Sequence, residues 1–181
     1  MKIYLDIDDT LINTDMYNMR PANHLKDFLV QMIKDHDVYW LTTHCDGDAK
    51  TAVSYMSQFV PRDITDLLTK IKPTKWEILK TEAIDMGDDF LWFDDAPTWG
   101  DVDALKKHNK LESLVRVNLD ENPDILSEFL DQPPICRGYI VDILKRSYML
   151  HIWTKPKISF GWHRKNDGPN KKIFGIQRYG V

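Results

Sequence analysis

Short apolar runs alternate with amphipathic stretches along the first 130 residues. Residues 2–7, KIYLDI, form an apolar run that stops at acids, which suits a buried strand. DDTLINTDMYNMR follows with no steady period and reads as a loop or small flap. Leu25, Phe28, Leu29, Met32 and Ile33 then fall on one face of a 3.6-residue period, predicting a helix with Pro21 in its first turn. Val38-Tyr39-Trp40-Leu41 is a second buried strand, ending at Thr42-Thr43. Asp46 or Asp48 is placed to cap a helix carrying Val53, Met56 and Val60, which Pro61 ends. A third helix is predicted over about 75–86, with Trp76, Leu79, Ala83 and Met86 on one side and Gly87 as the stop. Phe90-Leu91-Trp92-Phe93 is a further strand, stopping at Asp94-Asp95. Residues 101–109 are weakly helical, Leu114–Val117 reads as another strand, and Pro123 opens a short helix with Ile125, Leu126, Phe129 and Leu130.

Strands alternating with helices predict an α/β domain: a doubly wound, Rossmann-like parallel sheet with helices on both faces. The ligand site of such a sheet lies beyond the carboxyl ends of its strands. Three runs end in polar chemistry there, at Asp6-Ile7-Asp8, at Thr42-Thr43 and at Asp94-Asp95.

Charge divides the 181-residue chain. Residues 131–181 hold ten Lys+Arg against three acids, whereas residues 1–130 hold 14 basic and 25 acidic residues. The boundary is therefore set at a domain over 1–131 and a basic, aromatic C-terminal extension over 132–181. No apolar run approaches the ~20 residues that span a bilayer, so no membrane partner is expected. The N-terminus does not read as a signal peptide, and two cysteines are too few for a disulfide framework. A reducing, cytoplasmic setting follows as the default.

Asp6, Asp8, Asp94 and Asp95 bring up to four carboxylates to one edge. Left alone they repel, and a hard divalent cation removes the conflict. Oxygen-only ligands favour magnesium. A hydroxyl from Thr42 and a lysine ammonium suit the oxygens of a phosphate. One carboxylate is suited to act as nucleophile, and another two residues on as acid and base. The chemistry indicated is phosphoryl transfer.

LDIDDTL resembles the first motif of the haloacid dehalogenase-like (HAD) superfamily, VYWLTT its second, and FLWFDD its fourth in the Asp-Asp form. The resemblance covers about residues 1–130. It implies Asp6 as the nucleophile that becomes aspartyl-phosphate and Asp8 as general acid/base, with the Asp8 backbone carbonyl also facing the metal. Thr42 would hold the phosphoryl group, with Thr43 as the nearby alternative. Asp94 would hold magnesium with Asp95 assisting, and Thr10 would support the loop. For the third-motif lysine, Lys72, Lys75 and Lys80 are all candidates. The helix period places Lys75 at a helix start near the strand ends. LKTEAID before FLWFDD is similar instead to capless members, including HAD domains associated with RNA repair, and favours Lys80.

Between Asp8 and Thr42 there are 33 residues, and between Thr43 and Lys80 there are 36, all needed for the elements above. Neither gap holds a cap domain, so the site is expected to be open to a small ester or to a phosphate on a macromolecule.

The extension interleaves Lys and Arg with Tyr148, Trp153, Phe160, Trp162, Phe174 and Tyr179. Such a segment reads first as a small aromatic core packed on the body or on another subunit, its positive charge paired with the acidic body, and as an alternative suits nucleic acid by phosphate pairing and base stacking. His44 is a loop residue or a substrate contact, Cys45 an ordinary thiol, and Trp99 a packing residue or a pocket rim. The substrate classes indicated are a small phosphate ester or a nucleic-acid end. The reading from another class is a phospho-receiver or binding module without turnover, and the oligomeric state is left open.

Overall fold

In a computed structural model that describes residues 1–15 and 18–130, Lys2–Leu5 forms β1, an inner strand of a four-stranded sheet. The remaining elements, in chain order, are β2 (Ile12–Asn13), β3 (Arg20–Pro21), α1 (Leu25–Asp35), β4 (Asp37–Trp40), α2 (Lys50–Met56), α3 (Arg62–Leu68), β5 (Phe90–Asp94), α4 (Trp99–Lys107) and β6 (Leu114–Arg116). Single 3-10 turns lie at Lys80–Ala83, Leu111–Ser113 and Ile125–Phe129.

The fold is α/β. The sheet order is β4-β1-β5-β6 and every pairing is parallel, with Leu5 in register with Trp40 on one side and Phe93 on the other. After β1 the chain first builds outward on one side and then returns to the other, so the strand order reverses at β1. That reversal opens a crevice beyond its carboxyl end. The ladder continues past the strands: Asp6 N–H donates to Phe93 O at 3.0 Å and Leu41 N–H to Leu5 O at 2.8 Å. The backbone that carries the chemistry is thereby held by the sheet itself.

Period-2 alternation divides the strand residues between two apolar clusters. Ile3, Leu5, Val38, Trp40, Leu91, Phe93 and Val115 pack with α1, α2 and α3. Tyr4, Phe90, Trp92 and Leu114 pack with Leu105 of α4 and with Ile84. Phe93 meets Phe28 at 5.2 Å and Phe129 at 4.9 Å between ring centroids, both edge-on. Each such fully buried side chain contributes about 1.5–3 kcal/mol of transfer free energy. The outer edge of β4 is covered by the segment around Lys72, whose N–H donates to Val38 O at 2.9 Å and whose carbonyl accepts from Trp40 N–H at 2.8 Å. The predicted flap is present as the β2–β3 pair.

Four predicted elements differ. No helix covers 75–86, where the chain is irregular up to the Lys80–Ala83 turn. The Glu82 carboxylate accepts the N–H groups of Glu77 (2.9 Å), Ile78 (3.3 Å) and Leu79 (3.2 Å), and so holds this stretch as a loop. Pro21 lies in β3 and the helix begins at Leu25. The second helix stops at Met56, short of Val60; Pro61 does not merely end it but precedes α3, whose Ile64 and Leu68 are buried at a spacing of four. The stretch after Pro123 is 3-10 rather than α. The extension beyond residue 130, and the nucleic-acid contact offered as one reading of it, lie outside the described residues. Among the described residues no helix is long and apolar enough to cross a membrane.

Candidate functional site

Three strand ends and one 3-10 turn meet at the reversal point. Asp6 follows β1 and Asp94 ends β5, and both side chains are buried. One oxygen from each of Asp6, Asp94 and Asp95 lies within 4.8 Å of the others. The Lys80 ammonium sits among them, 3.1 Å from Asp6 Oδ2 and 2.7 Å from Asp94 Oδ2. Of the three candidate lysines, Lys80 is the one in this cluster. Lys75 is exposed and pairs with Asp46 at 3.3 Å, and Lys72 pairs at 2.5 Å with Asp37, at the opposite end of β4. The helix that would have aimed Lys75 does not form.

The electrostatics follow from burial. Loss of water pushes Asp94 up to about 6, helped by repulsion from Asp6 and opposed by Lys80. Asp6 is also raised by burial, with Lys80 and then the Thr42 hydroxyl working against it. Asp95 is raised by burial and by Asp6. Burial works against the Lys80 charge, but Asp6 and Asp94 outweigh it and its pKa is raised. Three oxygen donors that are costly to ionise together are suited to a hard divalent cation, so the donor set fits magnesium.

Lys80 is placed by its neighbour. Thr81 donates its N–H (2.9 Å) and its hydroxyl (3.0 Å) to Asp101 Oδ1. Asp101 is fully buried, and its Oδ2 accepts the Thr98 hydroxyl at 2.6 Å in the capping box that starts α4.

Asp8 stands apart from the three carboxylates. Its Oδ1 accepts the Tyr55 hydroxyl at 2.8 Å and its Oδ2 lies 2.9 Å from His44 Nε2. The His44 and Tyr55 rings stack at 3.8 Å between centroids and 12° between planes. Asp9 takes up the turn strain, with φ of 50°, and its Oδ1 accepts from Thr14 N (2.8 Å) and Thr14 Oγ1 (2.6 Å). Thr10 is buried and closes the turn through its N–H to Ile7 O.

Thr42 is buried, and its Oγ1 accepts His44 N–H at 3.4 Å; Thr43 is exposed. The structure thus brings Asp6, Thr42, Lys80, Asp94 and Asp95 together. It keeps Asp8 nearby on its own partners and leaves Lys75 outside. Cys45 is a buried thiol, raised by burial and bonded through Sγ to Thr74 O at 3.4 Å. Trp99 is 83% exposed, so the packing reading does not hold for it. Beside Asp95 opens a cleft of about 210 Å³, lined by Asp9 and Asn13 of the flap and by Arg116, Asn118 and Asp120.

Tyr55 and Asp101 are site residues the pattern missed. Thr98-x-x-Asp101 is a legible capping signal, so Asp101 was recoverable. Tyr55 carries no signal, because its partner is 47 positions away.

Comparison with known proteins returns no matching family model, curated protein or solved structure.

Proposed function

We propose that the chain is a doubly wound, capless HAD-type phosphatase of the cytoplasm that hydrolyses phosphate monoesters through an aspartyl-phosphate. The observation that carries this reading is the Lys80 ammonium bonded to both Asp6 and Asp94, with Asp95 beside them at the end of a parallel sheet. Magnesium held by Asp6, Asp94 and Asp95 would neutralise charge on the phosphate oxygens.

In the first step an Asp6 carboxylate oxygen bonds to phosphorus. The bond from phosphorus to the leaving oxygen breaks, and that oxygen keeps the electron pair and takes a proton from Asp8. In the second step water attacks phosphorus, its proton passes to Asp8, and the bond to Asp6 breaks. The sum is ester plus water giving alcohol plus phosphate. Lys80 and Thr42 hold phosphoryl oxygens as charge builds on them.

A nucleic-acid end is the second reading, favoured by Trp99. Its exposed ring, five residues after Asp94, suits stacking on a base.

The test is phosphate release from an aryl phosphate, nucleoside monophosphates and 5′- and 3′-phosphorylated oligonucleotides, with magnesium or with chelator, beside Asp6→Asn. Magnesium-dependent release lost in the variant supports the hydrolase, and the preferred member separates small esters from nucleic-acid ends. Folded protein that binds magnesium and releases nothing overturns turnover in favour of a binding module.

A further inference from the structure

Asp8 is held at both oxygens by two side chains that belong to neither its own loop nor the carboxylate cluster. Tyr55 comes from α2 and donates its hydroxyl to Oδ1 at 2.8 Å. His44 comes from the turn after β4 and meets Oδ2 at 2.9 Å. The two rings lie almost parallel, 3.8 Å apart, so their polar ends form one fork rather than two independent contacts. Each residue is also held by a contact away from Asp8. Tyr55 packs edge-on against Phe59 at 5.4 Å between centroids, and the backbone N–H of His44 donates to Thr42 Oγ1 at 3.4 Å, which holds the turn that carries the His44 ring. The Asp8 side chain is 40% exposed on its remaining side. A carboxylate has about four lone-pair directions, so two partners leave the others open toward a substrate.

We infer that His44 and Tyr55 are positioning residues that aim the Asp8 carboxyl at the leaving oxygen. The inference rests on the acid/base role given to Asp8 in the proposed function. The fork suits both halves of that role. The Tyr55 hydroxyl donates whether Asp8 is carboxyl or carboxylate. The His44 ring donates to Oδ2 in its Nε2–H tautomer, so both fork contacts are donors and the remaining lone-pair directions of Asp8 are left to the substrate. A side chain held at both ends does not search rotamers at each turnover, which is the contribution that positioning makes to proton transfer.

The readout is dependence on the leaving group, because proton donation matters for a poor leaving group and little for a good one. Steady-state kcat/KM, which reports the steps through leaving-group departure, is measured for an alkyl phosphate and for a nitrophenyl phosphate with magnesium. Tyr55→Phe and His44→Phe keep the ring stack and remove the bond to Asp8. His44→Gln removes the ring and keeps a donor. The expected result is a loss of about tenfold or more on the alkyl ester for both Phe variants. The nitrophenyl ester changes by less than about twofold, His44→Gln recovers part of the loss, and thermal melts match the wild type. Should His44→Phe fail to fold, Tyr55→Phe and His44→Gln carry the comparison. Equal losses on both esters, or no loss on either, overturn the inference and leave the phosphatase reading standing. A wild-type protein with no turnover of either ester overturns the phosphatase reading, and this inference with it.

Discussion

Asp101 Oδ1 accepts both the backbone N–H and the hydroxyl of Thr81, and so ties the first turn of α4 to the residue that follows Lys80. The same carboxylate closes the helix cap through Thr98. A helix start and the placement of the site lysine are therefore one structure. Asp101→Ala leaves buried donors on Thr81 without an acceptor and removes the side-chain half of the capping box, which costs about 2–4 kcal/mol together. Chemical denaturation should show that loss. Turnover should fall more steeply than the folded fraction, because the Lys80 turn loses its tether.

Lys80 and Lys75 make a matched pair of controls. Lys80→Met should abolish most phosphate release, whereas Lys75→Met should leave it within about twofold, since its partner is the exposed Asp46. Lys80→Met also strips the counter-charge from two buried carboxylates and should destabilise the protein by about 3 kcal/mol at pH 7. The deficit should shrink toward pH 4 as those carboxylates take up protons. Urea melts at the two pH values check it.

Asp94 sets a pH dependence of the metal-free protein. Burial, with Asp6 beside it, holds its folded pKa at about 6, above its unfolded value. A raised carboxyl contributes stability that is fully present below about pH 4 and lost as pH rises through about 6. Asp6 and Asp95 are shifted the same way. Asp94→Asn carries no such cost. In chelator its stability relative to wild type should therefore rise between pH 4 and 7, by up to about 3 kcal/mol. Magnesium should reverse the order, raising the wild-type melting temperature and not that of Asp94→Asn.

A chain ending at residue 131 should fold and keep magnesium-dependent turnover of the aryl phosphate. Among the described residues, two apolar clusters already cover both faces of the sheet, and all the catalytic side chains proposed above lie within residues 1–130. Circular dichroism and phosphate release check this. Loss of oligonucleotide turnover alone would assign the extension to substrate capture.

The strands were legible because each is a short apolar run that stops at acid or threonine. A buried parallel strand leaves no other pattern. Four of the predicted runs, at 2–7, 38–41, 90–93 and 114–117, coincide with β1, β4, β5 and β6. Helix α1 was legible by its period, from Leu25 to Met32. The stretch at 75–86 misled because Trp76, Leu79 and Ala83 repeat at helical spacing. Glu82 instead gathers the N–H groups of residues 77–79 and holds an irregular loop. Helix α3 was missed because Pro61 reads equally as the end of one helix and the start of the next.

Acid-ended strands in a parallel order were enough to place Asp6, Thr42, Asp94 and Asp95 at one edge, because every strand of a parallel sheet points its carboxyl end the same way. Which lysine joins them, and what holds Asp8, were decided only by tertiary structure. Lys75 and Lys80 lie on the same stretch of chain, and the fold of the loop between them chooses which ammonium reaches the buried carboxylates. Tyr55 and Asp8 are 47 residues apart, and no local pattern encodes a hydrogen bond between them. Local spacing determines which residues share a strand end or a helix face. The contacts that set charge and aim arise where separate elements pack, and they exist only once the chain has closed on itself.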